Sequence, residues 1–291
     1  MSEADNFFKR ANALLDRLEP LLPHTGQQQG LDDAPVLYWQ KKAAGNRLAP
    51  VKHTSNIQLA DLQNIERQKE LLARNTLQFL NNLPANNALL WGPRGTGKSS
   101  LVKAVLNEFR SQGLRLIQVE REHLVDLPDI CEQLYDSRDH FIIFCDDLSF
   151  DANDPSYKSL KVILDGSISS MPANVLIYAT SNRRHLMPEY MSENRDSQII
   201  DGELHLSETA EEKLSLSERF GLWLSFHPFN QDQYLAIVDY WLKKLDAPKG
   251  DEEITRKAAL KWALEHGSRS GRSAWQFARD WTGQQRLQTK N

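Results

Sequence analysis

The residues best equipped for chemistry in this 291-residue chain stand in WGPRGTGKSS, positions 91–100. Gly92-Pro93-Arg94-Gly95-Thr96-Gly97-Lys98-Ser99 fits the spacing G-x-x-x-x-G-K-[ST], and Ser100 follows it. The glycines let backbone N–H groups turn inward as an anion nest at a helix N-terminus, where the dipole also favours phosphate. Lys98 is expected to reach the β- and γ-phosphates of a nucleotide, and the Ser99 hydroxyl to ligate Mg²⁺. Such a loop needs a strand before it and a helix after it. The flanking ALL and LVKAVLNEF supply both.

A magnesium site of this kind also needs an acidic residue at the end of a buried strand. FIIFCDDLSF offers Asp146 and Asp147 at the C-terminal edge of an apolar run, the edge where open sheets bind ligands. Asp146 is expected to hold Mg²⁺ through water, and Asp147 to polarise an attacking water. The plainer alternative is an acidic pair that only caps the next element.

The elements that must position these groups alternate along the chain. DLQNIERQKELLARNTLQFL predicts a helix before Pro84, ALLW a short buried strand, and KSSLVKAVLNEF an amphipathic helix ended by Gly113. LRLIQVE predicts a second strand and HLVDLPDICEQLYD a second helix after the loop. FIIFCDD reads as a central parallel strand covered on both faces. YKSLKVILDGSI predicts a further helix, VLIYATSN a fourth strand and LWLSFHPF a fifth. The expected fold class is therefore α/β, a doubly wound parallel five-stranded core. After Pro228 the strands stop, and NQDQYLAIVDYWLKKL, EEITRKAALKWALEHG and SGRSAWQFARDW predict an all-helical C-terminal unit, with Asn230 as the first N-cap.

Ahead of the core, Phe7, Phe8, Ala11, Leu14, Leu15 and Leu18 share one helical face before Pro20 and Pro23. Residues 24–56 read as an extended connector with a short ordered piece around VLYWQKK. The expected organisation is an N-terminal helix and connector over 1–56, an α/β nucleotide-binding core over 57–228 and a helical lid over 229–291. The polar, acidic stretch from Met187 to Glu218 is long for a connection between core elements, and reads as a candidate loop that orders against a neighbour.

Composition bounds the partners. A net charge of −4 argues against a surface built throughout to hold phosphate backbones. Two cysteines, Cys131 and Cys145, give neither a disulfide framework nor metal-ligand spacing. The start MSEADNFFKR lacks the layout of a secretion signal, and no long apolar run suggests a membrane span, so a cytoplasmic setting is expected.

Taken in order, these motifs resemble those of the AAA+ ATPase superfamily from about Leu59 to Trp281. VLIYATSN resembles the strand ending in sensor 1, with Asn182 at its tip. LSERFGLWLSF resembles the segment carrying the arginine finger, with Arg219 before Phe220-Gly221. SRSGRSAWQF resembles the start of the sensor 2 helix, which places Arg272 toward the γ-phosphate. More narrowly, QKELLARNTLQFL, ALLWGPRGTGKSSLVKAVL, FCDDLSF and IYATSNRRHLMPE look like a branch of small bacterial AAA+ proteins known as a domain-of-unknown-function family.

The resemblance implies ATP and Mg²⁺ as cofactors and hydrolysis in a homo-oligomer, ring or partial ring, where Arg219 serves the neighbouring subunit. The work is then done on a protein client. An ATP-dependent switch or scaffold, or a nucleic-acid loader of the clamp- or helicase-loading kind, is the alternative. The acidic charge disfavours the loader. Two departures matter. Asp147 stands where the superfamily usually has Glu, one methylene longer, which implies slow hydrolysis. REHLVDLPD also lacks the aromatic–hydrophobic–Gly pore motif of peptide-threading relatives.

Overall fold

The structure is a computed structural model. It describes residues 34–41, 45–150, 154–166, 171–183, 186, 198–200, 203–205, 216–248 and 250–288. The expected N-terminal helix and most of the stretch from 187 to 218 lie outside the described residues.

Strand residues alternate between two apolar cores, as the two-residue side-chain period requires. Strand β4 (Leu114–Gln118) sends Leu114 and Leu116 to one face and Ile117 to the other. Strand β5 (His140–Cys145) sends Ile142 and Phe144 one way and Phe141, Ile143 and Cys145 the other. In β6 (Val175–Ser181), Leu176 and Tyr178 oppose Val175, Ile177 and Ala179. Every residue of β6 is buried, as expected of a strand covered on both faces. On one face lie α1 (Glu66–Leu80) and α2 (Lys98–Phe109). On the other lie α3 (Leu127–Leu134) and α4 (Pro155–Asp165).

Together with β3 (Ala88–Trp91) and β9 (Leu222–Ser225), these strands give the five parallel strands expected, in the order β4-β5-β6-β3-β9. Two more extend the sheet. β1 (Val36–Gln40) pairs parallel with β4, and β2 (Arg47–Pro50) pairs antiparallel with β1, so the full order is β2-β1-β4-β5-β6-β3-β9. Both lie within the segment read as an extended connector. Their attachment is long-range: Leu37 and Trp39 enter the core around Ile117, and the Trp39 indole donates to Asp126 at 3.1 Å. A short antiparallel pair, β7 (Gln198–Ile200) and β8 (Glu203–His205), stands outside the main sheet.

Helix α3 starts later than the sequence pattern suggests. Residues Arg121–Asp126 form a 3-10 turn and the α-helix begins at Leu127, because Pro128 fits only in a first turn.

The C-terminal unit is helical, as expected: α5 (Gln231–Lys244), α6 (Glu252–Glu265) and α7 (Gly271–Gln288). Asn230 caps α5 in a reciprocal capping box with Gln233. Tyr234, Ile237, Val238, Ala259, Ala274 and Phe277 continue the apolar core that covers the α1–α2 face of the sheet, so lid and core share one hydrophobic layer. Fully burying a side chain of this size contributes roughly 1.5–3 kcal/mol.

Candidate functional site

Sheet register brings the chemistry-bearing residues together. β6 lies between β5 and β3, with Cys145 level with Ala179 and Trp91 level with Ser181. The next residues beyond these strands are Asp146 on one side and Gly92 on the other, with Thr180 and Asn182 between them. All leave the sheet at the C-terminal edge, beneath the start of α2. The lid closes over this edge and leaves a cleft of about 950 Å³.

Within the loop, Gly92 and Gly95 are needed for space as well as conformation. Both have positive φ, 140° and 78°. A Cβ on Gly92 would stand 2.2 Å from the Phe226 carbonyl oxygen. One on Gly95 would stand 2.7 Å from Ser270 Cβ in the lid. The Gly271 N–H, at the start of α7, donates to the Gly95 carbonyl at 2.9 Å, so loop and lid share a backbone hydrogen bond. Thr96 is buried, and its hydroxyl donates to the Pro93 carbonyl at 2.8 Å.

Lys98 is 7% exposed. Its ammonium donates to the carbonyls of Gly92 (2.5 Å) and Pro93 (2.8 Å) and to Asn182 Oδ1 (3.1 Å). Burial lowers its pKa from 10.5 to about 8, against the pull of Asp147 and Asp146; Arg94 and Arg272 add to the lowering.

Ser99 Oγ donates to Asp146 Oδ1 at 2.6 Å, and Thr180 Oγ1 donates to the same oxygen at 2.6 Å. The Asp147 N–H donates back to Thr180 Oγ1 at 2.8 Å. Asp147 itself has φ +53°, and its carboxylate accepts from Asn182 Nδ2 and lies 3.4 Å from Arg94 Nη2. Ser99 and Asp146 supply hard oxygens, the donor type Mg²⁺ takes, and each has room on the cleft side. The residues therefore fit the ion that the loop implies.

Arg272, in the first turn of α7, lines the cleft from the lid. Arg94, Ser100 and Asn182 line it from the core, while Pro93 stands exposed at the loop's rim. Arg219 does not line the cleft. It sits on the turn before β9 with its guanidinium paired to Asp165 at the end of α4.

Four contributors are not legible in the sequence. Thr180 bridges the two aspartates; its signal is the polar Thr180-Ser181 pair that ends an apolar strand just before Asn182. Trp241 and Trp275, with ring centroids 4.5 Å apart, join Leu62, Ile65 and Ile237 as an apolar part of the cleft wall. Asp61, 4% exposed, ends the 3-10 turn Leu59–Asp61 before α1 and accepts from Tyr240 Oη (2.5 Å) and Lys244 Nζ of the lid and from the Gln58 N–H (2.9 Å).

A family model described as "Protein of unknown function (DUF815)" matches residues 32–285. The chain belongs to that family. Among curated proteins, none matches the sequence. Solved structures share the fold of this DUF815 chain. The Thermotoga maritima RuvB Holliday junction branch migration motor superposes with a TM-score of 0.51 at 15% identity, over 77% of this chain and 63% of that one. A point variant of the same protein gives 0.53 at 17% identity, over 77% and 64%. The Aeropyrum pernix Orc1 protein in complex with DNA gives 0.50 at 18% identity, over 74% and 58%. The DUF815 chain thus shares the fold of these structures and covers less than two thirds of their length. Among its described residues, no helix is long and apolar enough to cross a membrane.

Proposed function

We propose that the chain is a cytoplasmic, Mg²⁺-dependent ATPase that works in an oligomer to remodel or regulate a protein partner. The observation that carries this reading is the Ser99–Asp146 contact at 2.6 Å, set directly after a lysine held inside the phosphate loop. A hydroxyl and a carboxylate in contact at that position are the pair that would hold Mg²⁺. The ion would neutralise charge on the β- and γ-phosphates.

Around that pair the chain's own residues have separable tasks. The loop N–H groups and Lys98 bind the phosphates, and Asn182 orients Lys98 and Asp147 together. Asp147 accepts a hydrogen bond from the attacking water and aligns it with the γ-phosphorus. Arg272 brings a lid charge to the same space. Leu62, Ile65, Ile237 and Trp275 suit the flat apolar base and keep water from it. Arg219 stands outside the lining of its own cleft, which leaves it for service to a neighbour's site across a subunit interface. Nucleotide state would then be passed on by tilting the lid (229–291) against the core (57–228).

The test is phosphate release across a protein dilution series, with Mg²⁺ and with chelator, for the wild type and Arg219→Ala. Activity per chain should rise with protein concentration, require Mg²⁺ and be lost in Arg219→Ala while ATP affinity persists. A wild type that hydrolyses at one rate per chain at every concentration would sink the shared-site reading. Wild type that binds no ATP would sink the whole of it.

A further inference from the structure

Arg94 is the third residue of the phosphate loop, between Pro93 and Gly95. Backbone N–H groups, a helix dipole and Lys98 already suffice to cradle phosphates. An arginine at this position is therefore an addition to the cradle. Its side chain is 76% exposed, yet it lines the cleft, and Nη2 stands 3.4 Å from Asp147 Oδ2. The guanidinium thus hangs over the same space as Lys98 and Arg272.

That contact with Asp147 is long for an ion pair and involves a single nitrogen, between two exposed groups. Such a pair holds an arginine weakly. A phosphate offers the same guanidinium two parallel acceptors, a geometry that Arg fits and Lys does not. Asp147 is itself anchored by Asn182 and by the Thr180 hydroxyl beneath its N–H, so it is a fixed acceptor for Arg94.

We propose that Arg94 supplies a guanidinium in cis to the terminal phosphate of a nucleoside triphosphate, with Asp147 as the acceptor on which it rests before the phosphate is bound. This rests on the reading of the cleft as an ATP site. It gives each protomer a second arginine of its own at the terminal phosphate, beside Arg272 and separate from Arg219, and assigns Arg94 the discrimination of triphosphate from diphosphate. It also gives Asp147 a second task, as the acceptor for Arg94.

The test is calorimetric titration of the full chain with a non-hydrolysable ATP analogue and with ADP, for the wild type, Arg94→Ala and Arg94→Lys. Arg94→Ala should lose about tenfold or more in affinity for the triphosphate, the effect of one charged hydrogen-bonding group. Its ADP affinity should stay within about twofold of wild type, as expected for a group that meets only the third phosphate. Arg94→Lys should recover only part of the loss, since it keeps the charge without the fork. Single-turnover hydrolysis in Arg94→Ala should fall by about 10²-fold. Thermal melts of the three proteins should coincide, because Arg94 is exposed. An Arg94→Ala protein with the wild-type ratio of triphosphate to diphosphate affinity overturns the assignment while leaving the ATP reading standing. A wild type that binds neither nucleotide overturns both.

Discussion

Lys244→Met should destabilise the chain more than Asp61→Asn, and combining the two should restore part of the loss. The reason is the difference in exposure across the core–lid pair. Lys244 is 44% exposed and the Asp61 side chain 3%. Without Asp61's charge, Lys244 turns to water, and the cost is about 1–2 kcal/mol for weakened hydrogen bonds to Tyr240 and the Gln58 N–H. Without Lys244, a carboxylate stays in the protein with no counter-charge.

Stranding one member of a fully buried pair costs about 3–5 kcal/mol. Tyr240 and Gln58 still donate to Asp61, and the vacated edge admits water, so about 2–3 kcal/mol is the expected cost here. The double variant removes the stranded charge and should recover about 1 kcal/mol of it. Urea unfolding followed by tryptophan fluorescence is suited to the comparison, since Lys244 Nζ lies 5.3 Å from the centre of the Trp241 ring.

The pH dependence supplies a second sign. Burial raises the Asp61 pKa, but the hydrogen bonds from Lys244, Tyr240 and the Gln58 amide outweigh it and leave it below 3.8. In the wild type this carboxylate therefore contributes stability above its unfolded pKa, lost as pH falls through the lowered folded value. In Lys244→Met, burial should prevail and raise the folded pKa, so the defect should shrink as pH falls toward 4. A double variant less stable than Lys244→Met, or a defect that grows on acidification, would refute the reasoning.

Two further outcomes follow from the same structure. Asp147→Glu should speed hydrolysis, because one methylene carries the carboxylate about 1.5 Å further toward the water; a slower enzyme in steady-state phosphate release would show that the site is built around the shorter acid. Tyr178→Phe should cost about 1–3 kcal/mol in urea unfolding, since Tyr178 is fully buried and its hydroxyl meets Asn75 Nδ2 at 3.0 Å and Thr76 Oγ1 at 2.8 Å. A loss under 0.5 kcal/mol would show that those two groups find other partners.

The parts legible in the sequence are those whose signal is local. The loop carries its glycines at fixed spacing, β5 and β6 are apolar runs, and α5 carries its own N-cap in Asn230. What stayed hidden depends on partners far along the chain. β1 and β2 are short and flanked by polar, Gly- and Pro-marked sequence, and become strands only because β4 offers an edge and Asp126 a hydrogen-bond acceptor. Asp61 reads as the first residue of a helix; in the structure it ends a 3-10 turn, and α5 sets Tyr240 and Lys244 against it. Arg219 was recognisable by its segment, but its pairing with Asp165 needed the fold. Asp146, Asp147 and Asn182 could be named from the sequence. Thr180, which ties the two aspartates to one strand tip, lies within a strand whose residues are all buried and carries no spacing that marks it.

The Gly271–Gly95 hydrogen bond has a mechanical meaning. It pins the first residue of α7 to the phosphate loop, and the whole helix is 18 residues long, or about 27 Å at 1.5 Å each. A rotor fixed at one end amplifies angle into travel. Ten degrees of rotation about the pinned end sweeps the far end of such a helix through about 5 Å, roughly one helical turn. A change at the phosphates too small to alter the loop's own shape would thus reach the outer end of the lid as a displacement large enough to make or break contact with whatever lies there.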